Sequence, residues 1–202
     1  MYNRDIAEFI KEITTMSYQA PTTLRTAAPA PDEVTENEAA VFRFLDSLDI
    51  EYGWLFHEAK GSSHYGNEIY DVLEVSLPKN LFLVNKQKKH YMLMLHADKN
   101  CVSKEVAHTV ASSRMSFGSA EKLAELMRTV PGSVSPLELL FDTENQVQLL
   151  IDSDLLKAPY VTMHAVNNTL TMRMSPEDFM NKVLPAMHHE PIVIDIPFAE
   201  TE

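Results

Sequence analysis

The stretch KNLFLVNKQKKHYMLMLH, residues 79–96, determines the class of fold that this chain can adopt. It contains two runs of strand-forming residues, 80–84 and 90–96, which are separated by the polar segment 85–89. Two such runs joined by a short polar segment are typical of a β-hairpin. Both faces of the run LFLV, residues 81–84, are apolar, which predicts a strand buried on both sides. The sequence therefore predicts an antiparallel strand pair inside a folded domain.

The segments on either side of the hairpin alternate between helix and strand patterns. A capping box formed by Thr35 and Glu38 predicts the first helix of the domain. Ser175 followed by Pro176 predicts the last helix, which Pro185 should stop or kink. Two more helices, each opened by a serine, and five further strands are predicted at residues 103–110 and 119–127 and at residues 51–57, 147–151, 160–164, 169–174 and 192–196. We therefore predict an α+β fold, a single domain with a mixed, mostly antiparallel central sheet flanked by helices.

The N-terminal segment differs in composition from the rest of the chain. Apolar residues recur at helical spacing between residues 6 and 13, and a segment rich in Pro, Ala and Thr follows. We therefore predict an N-terminal helical appendage with a linker at residues 1–33 and a compact domain at residues 34–202. The helix either packs on its own domain or serves as a dimer contact or recruitment element.

The composition limits the classes of protein to which the chain can belong. The 202 residues include 29 acidic and 17 basic side chains, a formal net charge of −12, which argues against a protein that coats DNA. The one cysteine, Cys101, cannot form an intrachain disulfide, which is typical of a reducing compartment. No apolar run approaches the length of a membrane span. We therefore expect a cytoplasmic protein with neither DNA nor a membrane as its partner.

Several well-known catalytic signatures are absent from the sequence. It contains no phosphate-binding P-loop, no GxGxxG turn, no GxSxG nucleophile elbow and no HExxH zinc helix. The adjacent pair His188 and His189 has no third ligand at helical spacing, so we predict no metal site there. An enzyme with this sequence would have to use other chemistry.

Lysine residues are concentrated around the hairpin. Residues 79–99 contain five lysines and one acidic residue, a net charge of +4, which leaves −16 for the remainder of the chain. Lys86, Lys88 and Lys89 lie in the connecting segment, where they either contact a few phosphate groups or form a solvated hairpin tip. Lys79 stands at the start of an apolar strand, where a half-buried ammonium needs an anionic partner. We therefore interpret Lys79 as a candidate for anion binding.

Two polar segments in the second half of the chain are candidates for ligand binding. In the turn GSVSP, residues 132–136, the glycine permits unusual dihedrals, and successive N–H groups can converge on an anion. A plain turn between two helices would also explain this string. His164 ends a predicted strand close to Asn168, and the pair either binds a ligand by hydrogen bonds or belongs to an ordinary β-turn.

Six short strings occur in an order that resembles one protein family. They are KNLFL at 79–83, KHY at 89–91 followed by ADK at 97–99, MSFGS at 115–119, PGSVSP at 131–136, LFD at 140–142, and His164 with NT at 168–169. Over residues 36–196 the chain resembles the YbaK/ProX family of aminoacyl-tRNA deacylases, which is related to the editing domain inserted in bacterial prolyl-tRNA synthetase. The resemblance is strongest to the free-standing prolyl-tRNA-synthetase-associated proteins that act on alanyl-tRNA(Pro).

The resemblance implies a trans-editing hydrolase. Its substrate would be the acceptor end of a mischarged aminoacyl-tRNA, most of all alanyl-tRNA(Pro), and the ester would be hydrolysed without a metal or another cofactor. Prolyl-tRNA synthetase is an implied partner. The implied catalytic residues are Lys79, Asn80, Gly132, Ser133 and His164, and the implied substrate-binding residues are Val134, Ser135, Pro136, Asn168, Lys86, Lys88 and Lys89.

The resemblance also implies a role for each part of the site. Lys79 would contact the terminal phosphate or polarise the ester, and Asn80 would orient the aminoacyl or ribose group. The turn at residues 132–136 would hold the aminoacyl carbonyl through backbone N–H groups and limit the size of the side chain. His164 would line the amino-acid pocket.

Other functions stay open at this point. The residues SLP at 76–78 and Ala165 depart from those common in the family and alter the lip of the pocket, which leaves another small aminoacyl-tRNA, such as cysteinyl-tRNA(Pro), as an alternative substrate. A second alternative is a non-catalytic regulator that binds aminoacyl-tRNA or a free amino acid. A purely structural partner is the third, and it would have little reason to place Lys79 at the end of an apolar strand.

Overall fold

Helices and strands alternate along the chain. The structure is a computed structural model, and it describes residues 23–57, 67–75 and 77–198. The strands are β1 (Tyr52–Phe56), β2 (Lys79–Asn85), β3 (His90–Leu95), β4 (Met115–Phe117), β5 (Val147–Asp152), β6 (Val161–Ala165), β7 (Asn167–Met174) and β8 (Ile192–Ile194). The α-helices are α1 (Glu36–Asp46), α2 (Asn67–Leu73), α3 (Ser103–Thr109), α4 (Ala120–Met127), α5 (Pro176–Asp178) and α6 (Leu184–Ala186). Two 3₁₀ segments, Pro136–Phe141 and Ser153–Lys157, and a π-helical turn, Phe179–Val183, complete the described elements.

The strands form two sheets. The larger sheet has the order β4-β2-β3-β5-β8, and the smaller has the order β1-β7-β6. The pairings β3–β5 and β5–β8 are parallel, whereas β1–β7, β2–β3, β2–β4 and β6–β7 are antiparallel. The structure thus confirms an α+β fold with mixed, mostly antiparallel pairing, and it distributes the strands between two sheets.

The hairpin formed by β2 and β3 lies inside the larger sheet, as the sequence predicts. Its register runs from Lys79 opposite Leu95 to Val84 opposite His90. Phe82 and Leu83 are buried on opposite faces of β2, while its neighbours at 81 and 84 are half-buried. The strand is therefore covered on both sides, and Lys79 emerges at its N-terminal end.

Three groups of buried apolar side chains fix the layers. The main core includes Trp54 of β1, Met92 of β3 and Met172 of β7, so it joins the two sheets. A second group, with Leu93 and Val106, packs α3 against the other face of the larger sheet. A third group, Leu55, Ile69, Leu73 and Leu77, packs α2 against the other face of the smaller sheet. Each sheet is therefore covered on both faces.

The predicted helix starts are confirmed, and so are the predicted capping residues with one exception. Thr35 and Glu38 form the capping box of α1, and Ser119 caps α4 by accepting a hydrogen bond from the Lys122 N–H at 3.2 Å. The exception is α3, which begins at Ser103 as predicted, but its N-cap position is occupied by Val102 and not by the serine.

The helical segment after Ser175 continues further than predicted. Ser175 caps α5 by accepting from the Asp178 N–H at 3.0 Å, as expected. Pro185 does not stop the segment, because it lies within α6 and the helix continues to Ala186. The π-helical turn before it, in which the Leu184 N–H bonds to the Phe179 oxygen, shifts the hydrogen-bond pattern in the turn that receives the proline.

The described part of the predicted linker packs on the domain. Arg25 and Trp54 exchange two backbone hydrogen bonds of 2.8 Å, and the Trp54 indole donates to the Ala27 oxygen at 2.8 Å. The Arg25 guanidinium lies over the Trp54 ring and makes two 2.8 Å bonds with Glu33. The predicted amphipathic helix lies outside the described residues. Among the helices of the described residues, none is both long and apolar enough to cross a membrane.

Candidate functional site

A cavity of about 480 Å³ opens where β2 begins, where the turn after α4 lies and where β6 ends. Five residues predicted from the sequence line it: Lys79, Asn80, Gly132, Val134 and His164. Leu77, Pro78 and Leu81 give it apolar walls, and Tyr70, Ala97 and Asp98 complete the lining. Five segments that are separate in sequence thus converge on one concave site of the size that small ligands occupy.

Lys79 is half-buried in this cavity. Its Nζ donates a 3.0 Å hydrogen bond to the main-chain oxygen of Lys99. Within the described residues, no ion pair includes Lys79, so a neutral carbonyl stands where the sequence led us to expect an anion. Two further N–H bonds of the ammonium therefore remain for an anionic or carbonyl-bearing ligand.

Lys99 is a buried cation whose role the sequence did not indicate. Its side chain is fully buried, and its Nζ lies 2.8 Å from Asp152 Oδ1 and 2.5 Å from Asp154 Oδ2. Burial opposes the charge, but the hydrogen bonds to the two carboxylates outweigh it and raise the pKa of Lys99. The net charge of +4 at residues 79–99 therefore overstates the positive charge that this region offers to a ligand.

The same ion pair accounts for the one group of potential metal ligands among the described residues. The carboxylates of Asp152, Asp154 and Asp195 approach within 4.8 Å of one another. The Lys99 ammonium is bonded to two of them, so it supplies the positive charge that this cluster needs. In the predicted histidine pair, His189 is buried with its Nε2 3.3 Å from the Asp142 oxygen, while His188 is exposed.

Asn80 places an unsatisfied acceptor in the cavity. Its Oδ1 is buried and finds no hydrogen-bond partner among the residues that the structure describes. A buried amide oxygen without a donor is costly, and native proteins keep such atoms mainly where a ligand or water completes the bond. Asn80 is therefore suited to accept a hydrogen bond from a ligand.

The turn at residues 132–136 offers alternate rather than successive N–H groups. The Ser133 N–H donates to the Val130 oxygen at 3.0 Å, and the Ser135 N–H donates to the Glu138 carboxylate. In the described part of the chain, no hydrogen bond engages the N–H of Gly132 or of Val134. Any oxyanion hole in this turn is therefore reduced to these two amides.

Gly132 is required by backbone conformation and not by space. Its φ is +92°, in the left-handed region that side chains disfavour. A Cβ added at this position would meet no atom within 4 Å. The glycine therefore lets the chain turn so that Gly132 and Val134 reach the cavity.

The other side chains of the turn hold it against the hairpin of β6 and β7. Ser135 Oγ donates to the His164 oxygen at 2.8 Å, and Ser133 Oγ accepts from the Asn168 N–H at 3.3 Å. Ser133, Ser135 and Pro136 are buried, and none of them, nor Asn168, lines the cavity. The structure thus brings these four predicted residues to the site's supporting layer, where they position the turn.

Glu138 is a buried supporting residue that was not predicted from the sequence. It is fully buried, and its carboxylate accepts from the N–H groups of Ser135 and, at 2.7 Å, of Val166. Burial raises the pKa of Glu138 well above its ordinary value. Val166 has a φ of +69°, unusual for a β-branched residue, and this bond helps to hold it there. The spacing of Ser135 and Glu138 is that of a capping box, which was the available signal.

His164 faces the cavity in its neutral form. Burial, together with the nearby His57, lowers the pKa of His164 to about 3. Its Nδ1 lies 3.1 Å from Thr171 Oγ1. At neutral pH the ring is therefore an uncharged hydrogen-bonding group and a weak base.

The three hairpin lysines lie away from the cavity. Lys86, Lys88 and Lys89 are exposed at the tip of the β2–β3 hairpin. Since Lys79 and Asn85 are the two ends of β2, the tip lies roughly 20 Å from Lys79 along the strand. The structure thus separates these lysines from the cavity residues with which they were grouped.

Comparison with known proteins identifies the family of the chain. A family model described as the aminoacyl-tRNA editing domain matches residues 58–182. The prolyl-tRNA editing protein ProX of Acetoanaerobium sticklandii is 30% identical over 149 residues, which cover 73% of this chain and 90% of that protein. Prolyl-tRNA synthetase associated domain-containing protein 1 of Danio rerio is 26% identical over 170 residues, which cover 83% of this chain and 90% of that protein.

Two solved structures share the fold. A candidate trans-editing enzyme for prolyl-tRNA synthetase superposes with a TM-score of 0.59 at 15% identity, covering 81% of this chain and 98% of the other. A hypothetical protein superposes with a TM-score of 0.59 at 18% identity, covering 77% of this chain and 97% of the other. At these identities the similarity concerns the fold alone.

Proposed function

We propose, because the chain belongs to the aminoacyl-tRNA editing domain family, that it is a trans-editing deacylase whose preferred substrate is alanyl-tRNA(Pro). The observation that carries the proposal is the convergence of Lys79, Gly132, Val134 and His164 on one cavity. The reaction is hydrolysis of the ester that joins the amino acid to the terminal ribose of the tRNA.

A separate hydrolytic site would compensate for the limited ability of a synthetase to exclude smaller amino acids. A synthetase that selects by pocket size gains only about 1–3 kcal/mol from a missing methylene, which is too little to exclude a smaller amino acid. Alanine is smaller than proline and enters a proline pocket. A separate protein that removes alanine from tRNA(Pro) would correct this error.

Lys79 supplies the positive charge of the proposed mechanism. Its ammonium is held by the Lys99 carbonyl and lacks a carboxylate partner in the described residues, so it is free to attract the terminal phosphate or the ester oxygen. The apolar walls formed by Leu77, Pro78 and Leu81 exclude water and strengthen this attraction.

The amides of Gly132 and Val134 stabilise the developing oxyanion. When water attacks the ester carbon, the carbonyl oxygen gains negative charge, and preformed N–H donors are most effective at this stage. A carbon–oxygen bond to water forms, the bond to the ribose oxygen breaks, and a proton from the attacking water passes to that ribose oxygen. The products are the free amino acid and the uncharged tRNA.

Asn80 and His164 orient the substrate in this proposal. The unsatisfied Oδ1 of Asn80 accepts a hydrogen bond from the substrate's ammonium or ribose hydroxyl. His164 lines the amino-acid pocket as a neutral ring, because a group with a pKa of about 3 is a poor general base at neutral pH. The ribose hydroxyl next to the ester would then assist the proton transfer.

The hairpin lysines extend the proposed interface. The single-stranded end of a tRNA bound in the cavity would lead the acceptor stem outward, and Lys86, Lys88 and Lys89 would contact its phosphates. These contacts would add affinity without taking part in the reaction. Prolyl-tRNA synthetase, which supplies the mischarged tRNA, is the proposed protein partner.

A non-catalytic regulator is the second candidate function. The weak basicity of His164 favours it, because a ring whose pKa is lowered to about 3 is a poor general base at neutral pH. Such a protein would bind aminoacyl-tRNA or a free amino acid in the same cavity and leave the ester intact.

One experiment distinguishes these functions. Purified protein is mixed with alanyl-, cysteinyl-, seryl- and prolyl-tRNA(Pro), and the remaining charged tRNA is followed over time. We expect rapid loss of alanyl-tRNA(Pro) and retention of prolyl-tRNA(Pro). Faster loss of cysteinyl-tRNA(Pro) would identify it, and not alanyl-tRNA(Pro), as the preferred substrate. If every tRNA stays charged while binding is measurable, the protein is a regulator and the deacylase proposal fails.

A further inference from the structure

In the smaller sheet, strands β6 and β7 have one apolar face and one polar face, and both are covered. Leu170 and Met172 of β7 point into the main core, as do Val161 and Met163 of β6. Because side chains alternate along a strand, the opposite face carries polar residues on these two strands. They are Thr162, His164, Thr169 and Thr171, and all four are buried except His164, which is half-buried.

This polar face includes a hydrogen-bonded chain of three side chains. Thr171 lies on the central strand β7, and its Oγ1 is 2.7 Å from His57 Nε2 and 3.1 Å from His164 Nδ1. His57 follows β1 directly, and its backbone N–H donates to the Thr169 oxygen at 2.8 Å. This row of hydrogen-bonded side chains thus extends across the sheet from the end of β1 to the cavity.

The middle group of this chain links the two rings. A threonine hydroxyl has one hydrogen, so two imidazole nitrogens cannot both accept a bond from it. At least one ring must present an N–H toward Thr171. The nitrogen that carries the proton in His57 therefore restricts which nitrogen can carry it in His164. Thr171 is fully buried and His57 is 1% exposed, so bulk water has little access to replace either bond.

We propose that Thr171 and His57 are positioning residues that fix the tautomer and ring orientation of His164. His164 then presents one hydrogen-bonding pattern to the cavity instead of a mixture. The low pKa of His164 agrees with this assignment, since a neutral ring is the form that has two tautomers. No local pattern in the sequence indicates this role, because His57 and Thr171 are 114 positions apart.

The effect on turnover rests on the proposed deacylase function, but the effect on the ring does not. A wrongly protonated ring would offer a donor where the substrate needs an acceptor, or the reverse. The loss should therefore appear in kcat more than in KM, because the tRNA contacts at the hairpin are unchanged.

The test compares variants in two measurements. In ¹⁵N-histidine spectra at neutral pH, the ring nitrogens of His164 in the wild type should show one neutral tautomer. Thr171→Val should convert this to a different tautomer or to a mixture, whereas Thr171→Ser, which keeps the hydroxyl, should preserve it. Thr169→Val is the matched control, because Thr169 is buried on the same face of β7 and its hydroxyl has no partner among the described residues.

Turnover provides the second measurement. We expect Thr171→Val to lower kcat about tenfold, Thr171→Ser to restore most of it, and Thr169→Val to leave it unchanged. If Thr171→Val does not fold, His57→Gln tests the same link from the other end of the chain and should also change the His164 spectrum.

The outcomes separate this inference from the proposed function. Unchanged ¹⁵N spectra of His164 in Thr171→Val and in His57→Gln would overturn the positioning role, whatever the activity. A changed spectrum with unchanged kcat would overturn its catalytic consequence. A wild type that deacylates no tRNA would remove the proposed function, while the spectra would still decide whether Thr171 and His57 control His164.

Discussion

The side-chain nitrogen of Lys79 is held 3.0 Å from the main-chain oxygen of Lys99, whose own side chain points the other way into a buried ion pair. One lysine is therefore positioned by the backbone of another. Asp152 and Asp154 fix the Lys99 side chain, and through it the residues 97–99, of which two line the cavity. The position of the Lys79 ammonium in the cavity thus depends on an ion pair that lies outside the cavity.

Replacing Lys79 should abolish most of the activity. Lys79→Ala removes a charge-assisted interaction worth at least about 1.5 kcal/mol, so we expect a loss of more than tenfold in kcat/KM. The measurement is deacylation of alanyl-tRNA(Pro) under single-turnover conditions. Lys104→Ala, which removes an exposed lysine on α3, is the control and should react as the wild type does. Wild-type turnover in Lys79→Ala would exclude Lys79 from the mechanism.

Replacing Lys99 should destabilise the fold. Lys99→Met leaves Asp152 buried without its cation, and breaking a buried pair in this way costs about 3–5 kcal/mol. Urea unfolding measures the change. Lys157→Met is the matched control, because Lys157 pairs with Asp154 at the surface with its side chain 71% exposed, and its loss should change the free energy of unfolding much less. Equal effects of the two variants would contradict the role assigned to Lys99.

Gly132→Ala should strain the turn without a steric clash. An alanine at a φ of +92° costs about 1 kcal/mol or more, and the turn would relieve this strain by moving the Gly132 and Val134 amides. We expect lower thermal stability together with lower kcat. Gly132→Asn should lose less stability, since asparagine tolerates positive φ better. An alanine variant with wild-type stability would show that the positive φ is not required.

Acid should destabilise the protein partly through His164. The folded pKa of about 3 lies below the ordinary value of 6.5, so the unfolded chain binds more protons between these values and stability falls as the pH drops below 6.5. Between pH 7 and pH 5 this group alone should cost about 2 kcal/mol.

The comparison of variants isolates this contribution. His164→Gln should lose less stability than the wild type over that pH interval, as measured by urea unfolding at each pH. His108→Gln, which replaces an exposed histidine on α3, should follow the wild-type curve. Parallel curves for the wild type and His164→Gln would contradict a lowered pKa.

The hairpin lysines should affect binding and leave the reaction step unchanged. Replacing Lys86, Lys88 and Lys89 together by alanine should raise KM for the charged tRNA. The slope of the logarithm of the binding constant against the logarithm of the salt concentration should become shallower by about one for each phosphate that is no longer neutralised. Because the hairpin tip lies roughly 20 Å from Lys79, kcat should not change. Salt titrations that coincide for the variant and the wild type would show that the tip is merely solvated.

Local patterns predicted most of the fold. The hairpin of β2 and β3, the capping box of α1 and most strand positions depend on neighbouring residues, so the sequence contains their signal. The division into two sheets and the parallel pairs β3–β5 and β5–β8 depend on contacts between distant segments, whose register a single sequence does not reveal.

The polar lining of the candidate site was largely predictable from the sequence, and its support was predictable only in part. Lys79, Asn80, Gly132, Val134 and His164 stand in short strings that resemble a family, and they meet at the cavity. Buried polar residues such as Lys99 and Thr171 have roles that arise only from contacts between distant segments. In the sequence Lys99 looks like one more surface lysine, because nothing near it in the chain indicates Asp152.

The late position of β8 in the sequence affects the order in which parts of the protein can fold during synthesis. β8 pairs in parallel with β5 at the edge of the larger sheet, and its Ile194 packs beside Leu150 in the core under α3. During synthesis every cavity residue up to His164 leaves the ribosome before β8 does. The nascent chain can therefore assemble its cavity while the β5 edge is still open, and that unpaired edge is the surface on which a chaperone would act or aggregation would begin.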